Sequence, residues 1–300
     1  MNLSQMLAES VQRAPDKAAL AFRDRPISYR QLEEAASRTA GALAAAGVGP
    51  GDRVALIAGN VPEFVYALYG TWRAGAVAVP LNVMLVSQEL SYILADCGAR
   101  AVVCEMGYLP AVLAVRDDLP DLETIMVVAG PPVPPGTVSF EEALGNAAEP
   151  PGVRAGGDDD LALIQYTSGT TANPRGAMLT HANLMANLAQ MQQVPALAQA
   201  EDDVVLLVLP MFHIYGLNVG LNLTLRVGAT GVLVERFDPI GSLTLIRENR
   251  VTVLPARRRC STRGSRSTRR ARPSTPSGSP SPARRRSPSR SWRARGPGSA

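Results

Sequence analysis

Three hundred residues allow one large or two ordinary domains, and 46% hydrophobic against 19% charged residues is a globular composition. The net charge of +4 averages two unlike parts: residues 256–300 hold 14 of the 30 basic residues and none of the 26 acidic ones, leaving −10 on the first 255. That distribution excludes a basic, nucleic-acid-seeking body.

The N-terminus, Met1 to Glu9, lacks a basic start followed by an apolar stretch, so no secretory signal is expected. Ser28-x-x-Gln31 has the form of a capping box. Leu32, Ala35, Ala36, Thr39 and Leu43 follow at helical spacing, and Gly47 is placed to end that helix. Short apolar strands are predicted at Val54–Ala58, Ala76–Val79, Ala101–Cys104 and Ile125–Val128. Helices are predicted at Pro62–Ala74, with Pro in its first turn, and Ser87–Asp96, with Ser as its cap.

Gly130–Gly136 reads as a surface loop, and Glu149–Asp160 as a second soft region. Beyond it the pattern predicts a strand at Leu161–Gln165, a helix from about Thr180, a strand at Val204–Leu209 and a helix from about Phe212. A strand at Ala229–Val234, a helix from Pro239 and a strand at Val251–Leu254 complete the body. Strands alternating with helices predict an α/β fold of mostly parallel sheets flanked by helices. Val204–Leu225 is free of charge and long enough to span a bilayer, but Pro210, His213, Gly216, Asn218, Gly220 and Asn222 interrupt it. A buried strand and a turn fit better than a membrane span.

Three cysteines, Cys97, Cys104 and Cys260, cannot pair completely and have no metal-site spacing, which fits a reduced, cytoplasmic setting. Arg, Ser and Pro make up 31 of residues 256–300, with no Leu, Ile, Val, Met or Phe among them. Such a segment has little to bury against the entropy of ordering, so a disordered tail is expected, and the folded body is residues 1–255. Its arginines could hold phosphates, but with Trp292 as the only aromatic residue a nucleic-acid role is poorly supported.

The most informative segment is Ile164-Gln165-Tyr166-Thr167-Ser168-Gly169-Thr170-Thr171-Ala172-Asn173-Pro174-Arg175-Gly176. Glycine lets backbone N–H groups approach an anion, hydroxyls add neutral donors, and a guanidinium adds charge-assisted ones. A polar turn would have a similar composition. It is no Walker loop, because the glycine spacing is too long and Ala177 stands where Lys would follow.

In residue order the segment resembles the phosphate loop of the adenylate-forming (AMP-binding) enzymes, Tyr-Thr-Ser-Gly-Thr-Thr-Gly-x-Pro-Lys-Gly, with Ala172 and Arg175 as departures. Thr180–Leu184, Pro210-Met211-Phe212-His213-Ile214-Tyr215-Gly216, Ala78–Asn82 and Glu89–Leu94 resemble further stretches of that family, in the same order. The resemblance covers nearly all of residues 1–255, which would form the first part of the large N-terminal domain. It is closest to acyl-CoA synthetases of the fatty-acid–CoA ligase type.

The resemblance implies a reaction in two halves. A carboxylate attacks the α-phosphorus of Mg2+-bound ATP, giving an acyl-adenylate and pyrophosphate, and coenzyme A or a carrier-protein thiol then takes the acyl group. It implies that Thr167, Ser168, Gly169, Thr170 and Thr171 cradle phosphates, with Arg175 and Gly176 beside them. Phe212, His213, Tyr215 and Gly216 would line the acid side. A lone His after a buried strand is otherwise often a packed core residue. His181 reads as a helix-start residue, Asp158–Asp160 as a solvated run, and Asp202 and Asp203 as turn residues.

The family's later parts are an adenine loop, a Tyr-Gly-x-Thr-Glu segment whose Glu helps hold Mg2+, a ribose-gripping Asp and a C-terminal domain with a catalytic Lys. No Tyr or Glu occurs here after Glu248, and Lys17 is the only lysine against 29 arginines. Arg/Ser/Pro/Ala/Gly mixtures arise when GC-rich DNA is read out of frame. Moved back one nucleotide, codons for Arg258–Ser261 can read Pro-Pro-Met-Phe, which resembles the family's continuation. A frameshift near residue 256 is therefore expected, leaving a truncated, catalytically incomplete chain. The other readings are a non-enzymatic acyl- or nucleotide-binding remnant and a tail that binds nucleic acid.

Overall fold

The computed structural model describes residues 1–128, 130–147, 157–167 and 174–255. The Arg-rich tail, most of the second soft region and Ser168, Gly169, Thr170 and Thr171 lie outside the described residues.

Local chemistry starts most of the helices. Helix α1 (Leu3–Arg13) opens on a capping box in which Asn2 and Gln5 exchange hydrogen bonds, both 2.9 Å. Strands β1 (Ala18–Phe22) and β2 (Arg25–Ser28) form a hairpin turned by Arg23 and Asp24 at φ 47° and 62°. Helix α2 (Tyr29–Ala45) has the predicted capping box of Ser28 with Gln31, and Gly47 follows it at φ 81°, in the left-handed region.

Strand β3 (Arg53–Ile57) leads to α3 (Pro62–Arg73), which has proline at its first position, and then to β4 (Val77–Pro80). In α4 (Ser87–Cys97) the predicted cap is displaced by one residue. Val86 occupies the cap position, Ser87 is already helical, and Glu89 accepts from the Val86 N–H at 3.1 Å. Strand β5 (Ala99–Glu105), the short α5 (Leu109–Leu113), β6 (Thr124–Val128), β7 (Val138–Ser139) and α6 (Phe140–Asn146) follow, with Gly130–Gly136 in a surface loop as expected.

Strand β8 (Leu161–Thr167) turns back into β9 (Arg175–Thr180), a strand the sequence pattern does not announce, and α7 (His181–Gln193) starts from a Thr180–Asn183 capping box. Beyond β10 (Val204–Leu207), the helix expected from Phe212 begins later. Residues 211–213 form a turn, and a π-helix spans Tyr215–Asn222 before α8 (Leu223–Val227). Strand β11 (Thr230–Leu233) and α9 (Pro239–Glu248) complete the elements. Of the expected strand Val251–Leu254, only Val253 forms a bridge, parallel to Val205. Among the described residues no helix is long and apolar enough to cross a membrane.

The strands form two sheets. The larger runs β7-β6-β5-β3-β4-β8-β9 and the smaller β10-β11-β1-β2, with every neighbouring pair parallel except β8–β9 and β1–β2. Parallel strands need crossovers, and the helices supply them while covering the sheet faces. Helix α3 is apolar nearly all round and accordingly buried. Its Trp72 donates to the Ala162 carbonyl of β8 at 2.8 Å, and its Tyr69 hydroxyl reaches Asn222 of the π-helix at 3.0 Å. One buried helix thereby fixes the two stretches that carry the sequence motifs.

Candidate functional site

Thr167 pairs with Arg175 and Tyr166 with Gly176 across β8 and β9, so the motif closes a hairpin at the carboxyl end of a parallel-sheet strand. Open α/β sheets bind ligands at that end of their strands. Thr167 and Arg175, which frame the residues outside the description, are exposed, and Gly176 is half-buried. Arg175 has no ion-pair partner among the described residues, leaving its guanidinium available to an anion.

Alternate residues of β8 face opposite ways. Tyr166 points to α4, where its hydroxyl bonds the Asp96 carboxylate, and burial together with that carboxylate raises its pKa above the usual phenol value. Gln165, on the face shared with Thr167, donates from Nε2 to the Phe212 carbonyl at 3.1 Å. The motif strand and the Pro210–Gly216 segment are therefore in direct contact. Phe212 and Tyr215 are half-buried and Gly216 is buried.

His213 is exposed, not the packed core residue that a lone His after a strand would suggest. Its Nδ1 accepts from the Tyr215 N–H at 3.2 Å, which leaves Nε2 to carry the proton of the neutral ring. Asn60, in the bend three residues after β3, is not signalled by any motif. Its carboxamide donates to the Leu207 and Leu209 carbonyls at 2.9 and 3.0 Å and accepts from the Met211 N–H at 2.9 Å. Gln165 stands in the motif segment with no role assigned to it from the sequence, although a carboxamide inside an otherwise apolar strand is a usable signal.

The other histidine has the opposite environment. His181 is the first residue of α7, as its sequence context predicts, and is only 4% exposed. Its Nδ1 accepts from the Leu3 N–H at 3.3 Å, and its ring lies edge-on to Trp72 with centroids 6.1 Å apart. Burial lowers its pKa from 6.5 to about 4, against the opposing pull of Asp160 and Asp158. Between those values the unfolded chain binds a proton that the folded chain refuses. Stability is therefore expected to fall as pH drops from about 6.5 to about 4, by up to about 3 kcal/mol from this group. Urea titrations at pH 7 and pH 5 should show the loss in the native protein and a flatter response in His181→Asn. Equal pH dependence in both would remove His181 as its source.

Asp158, Asp159 and Asp160 are exposed, and Asp158 receives the N-terminal ammonium. Asp203 lies in the turn before β10, accepting from the Ala200 N–H at 2.7 Å. Cys97 and Cys104 are buried free thiols, pushed up to about 11 and about 12 by burial. Among the described residues no cluster of three or more His, Cys, Asp or Glu side chains is placed to hold a metal ion.

The family model for the AMP-binding enzyme matches residues 7–258. The chain is 35% identical over 255 residues to an indoleacetate–CoA ligase of Aromatoleum aromaticum, covering 84% of this chain and 49% of that protein. It is 36% identical over 235 residues to the long-chain-fatty-acid–CoA ligase FadD13 of Mycobacterium tuberculosis, covering 76% and 43%. Among solved structures, the anthranilate CoA ligase AuaEII in complex with anthranoyl-AMP superposes with a TM-score of 0.78 at 29% identity, over 85% of this chain and 49% of that one. The N-terminal domain of FACL13 from Mycobacterium tuberculosis gives 0.76 at 31% identity, over 85% and 62%. The chain spans about half the length of the curated relatives it matches. Agreement of the family model, the relatives and the fold over the same stretch has one meaning: this chain belongs to the AMP-binding enzyme family.

Proposed function

We propose that residues 1–255 are part of an AMP-binding N-terminal domain and that the activity they serve is ATP-dependent activation of a carboxylic acid. The acid would first become an acyl-adenylate and then a coenzyme A thioester. The observation that carries this reading is the contact between Gln165 of β8 and the Phe212 backbone, which brings the strand that leads into the anion-suited sequence against a half-buried segment. Thr167, Ser168, Gly169, Thr170, Thr171, Arg175 and Gly176 would hold the ATP phosphates. Phe212, His213, Tyr215 and Gly216 would border the acid. In such a reaction the protein's task is to gather negative charge and align the attacking oxygen with the α-phosphorus. Mg2+ would enter with ATP, held chiefly by the phosphates.

The substrate we favour is a hydrophobic monocarboxylic acid, a fatty acid in the first instance, and the setting the cytoplasm. Residues 256–300 we read as a frameshift product. Sequencing the DNA around codon 256 tests this: an uninterrupted alternative frame encoding Tyr-Gly-x-Thr-Glu is expected, and its absence would refute the frameshift. The frame-restored protein should then form thioester from ATP, free coenzyme A and a long-chain fatty acid. Product with a phosphopantetheine-bearing carrier but none with free coenzyme A would overturn the acceptor. Preference for an aryl acid would overturn the fatty acid.

A further inference from the structure

The backbone from Leu207 to Tyr215 leaves strand β10, turns through Pro210–His213 and enters the π-helix, so much of it has no ladder or helix partner of its own. Buried backbone groups in such a stretch must be paired by something else. Asn60, 4% exposed, binds two of them, the Leu209 carbonyl and the Met211 N–H, and adds a second donor to the Leu207 carbonyl, which also accepts from the Val234 N–H. Gln165, 8% exposed, takes a third, the Phe212 carbonyl. Gln165 lies in β8 of the larger sheet and Asn60 in the bend that follows its strand β3, while the segment they hold leaves the smaller sheet.

Gln165 is informative in a second way. A carbonyl can only accept, so Nε2 must face Phe212 and Oε1 must face away. That Oε1 is buried and has no partner among the described residues. An orphaned buried acceptor lowers stability, and an apolar side chain of the same reach would avoid it. A carboxamide without a partner at Oε1 is a poor choice for stability alone at this position, and its one bond among the described residues goes to the segment between β10 and the π-helix.

We propose that Asn60 and Gln165 are positioning residues, two carboxamides that set the Leu209–Phe212 backbone against the bend after β3 and against β8 and so fix the acid side of the site relative to the phosphate-loop strand. This rests on the reading that the segment borders the acid, but the positioning itself is measurable without any ligand. It can hold even where ATP binding fails.

The chain has two histidines, and each accepts a backbone N–H at Nδ1: His213 within the segment and His181 outside it. Imidazole NMR signals of the 300-residue protein therefore report the segment and the rest of the fold separately. In Gln165→Met and Asn60→Ala, the His213 signals should move toward those of free histidine while the His181 signals stay in place. The Met211 and Tyr215 amides should exchange with deuterium at least about tenfold faster, as expected for local opening. Asn60→Ala could fail to fold, and Gln165→Met then decides alone, because it exchanges one unpaired acceptor, Oε1, for another, the Phe212 carbonyl, and should change the melting temperature little. Unchanged His213 signals would overturn the proposal. So would equal movement of both histidines, which would mark the two residues as general fold determinants.

Discussion

Acid-dependent ATP–pyrophosphate exchange is expected to be undetectable with the purified 300-residue polypeptide, whatever hydrophobic acid is supplied. The proposed loop can attract a polyphosphate, but exchange needs the α-phosphorus held in line with the carboxylate. The family resemblance assigns that work to a ribose-gripping Asp, an Mg2+-holding Glu and a catalytic Lys in segments that residues 1–255 do not include. The one lysine present cannot substitute. Lys17 donates to the backbone carbonyls of Glu201 and of Gly228, the latter at 2.6 Å, and is thereby committed to a loop junction. Positioning can account for about 7–11 kcal/mol of a barrier, so losing most of it lowers the rate by five or more orders of magnitude, roughly. Robust exchange that Thr170→Ala abolishes would refute this.

The second large effect is structural. A Cβ at Gly216 would stand 2.8 Å from the Pro210 carbonyl carbon and 2.9 Å from the Leu209 oxygen, and closer still to the Pro210 oxygen. All three are backbone atoms, and Asn60 holds Leu209 and Met211 on either side of Pro210. The segment has little freedom to retreat, so Gly216→Ala should cost about 3 kcal/mol, the upper end for overpacking in a core. For a body of this size that is roughly 6–12 °C in melting temperature. Gly145→Ala in α6 is the control, because nothing lies within 4 Å of its added methyl and the melting temperature should hold or rise. Equal stability of Gly216→Ala and the native chain would show that the turn yields.

Legibility of the fold followed the kind of signal involved. Ser28 with Gln31, Thr180 before α7 and Pro62 at the start of α3 mark helix starts through local hydrogen bonding, and each lies where the sequence places it. The apolar runs that become β3, β4, β5 and β6 are buried on both faces and need no alternation to be read. Helix α1 lies outside the predicted elements although Asn2 with Gln5 carries the same capping signal as Ser28 with Gln31. The β1–β2 hairpin was less accessible: its turn puts Arg23 and Asp24 at positive φ without the Gly or Asn that usually announces one.

Tertiary contacts account for the remaining differences. The helix after Phe212 starts late because Asn60 and Gln165 hold the preceding backbone in a turn, and no local pattern encodes a partner 47 residues away. Its π form goes with Asn218 and Asn222, which hydrogen-bond each other inside the core and reach Asn187 and Tyr69. Within the candidate site, Phe212, His213, Tyr215 and Gly216 could be placed, and so could Thr167, Arg175 and Gly176. Ser168, Gly169, Thr170 and Thr171 lie outside the described residues, so their place in the site stands on residue order alone.

Equilibrium ATP titration of the 300-residue protein beside its Ser168→Ala and Arg175→Ala variants tests the phosphate-site assignment most directly. The tail's fourteen arginines will also hold ATP at low salt, so the titration belongs at or above about 0.15 M salt, where exposed charges are screened beyond roughly 8 Å. The three proteins carry the same tail, so differences between them report the loop. Weak binding is expected in the native protein. Each variant should weaken it further, about tenfold for Arg175→Ala, as for the loss of one charge-assisted hydrogen bond. Affinities unchanged by both substitutions would contradict the assignment of Thr167–Gly176 as the phosphate site.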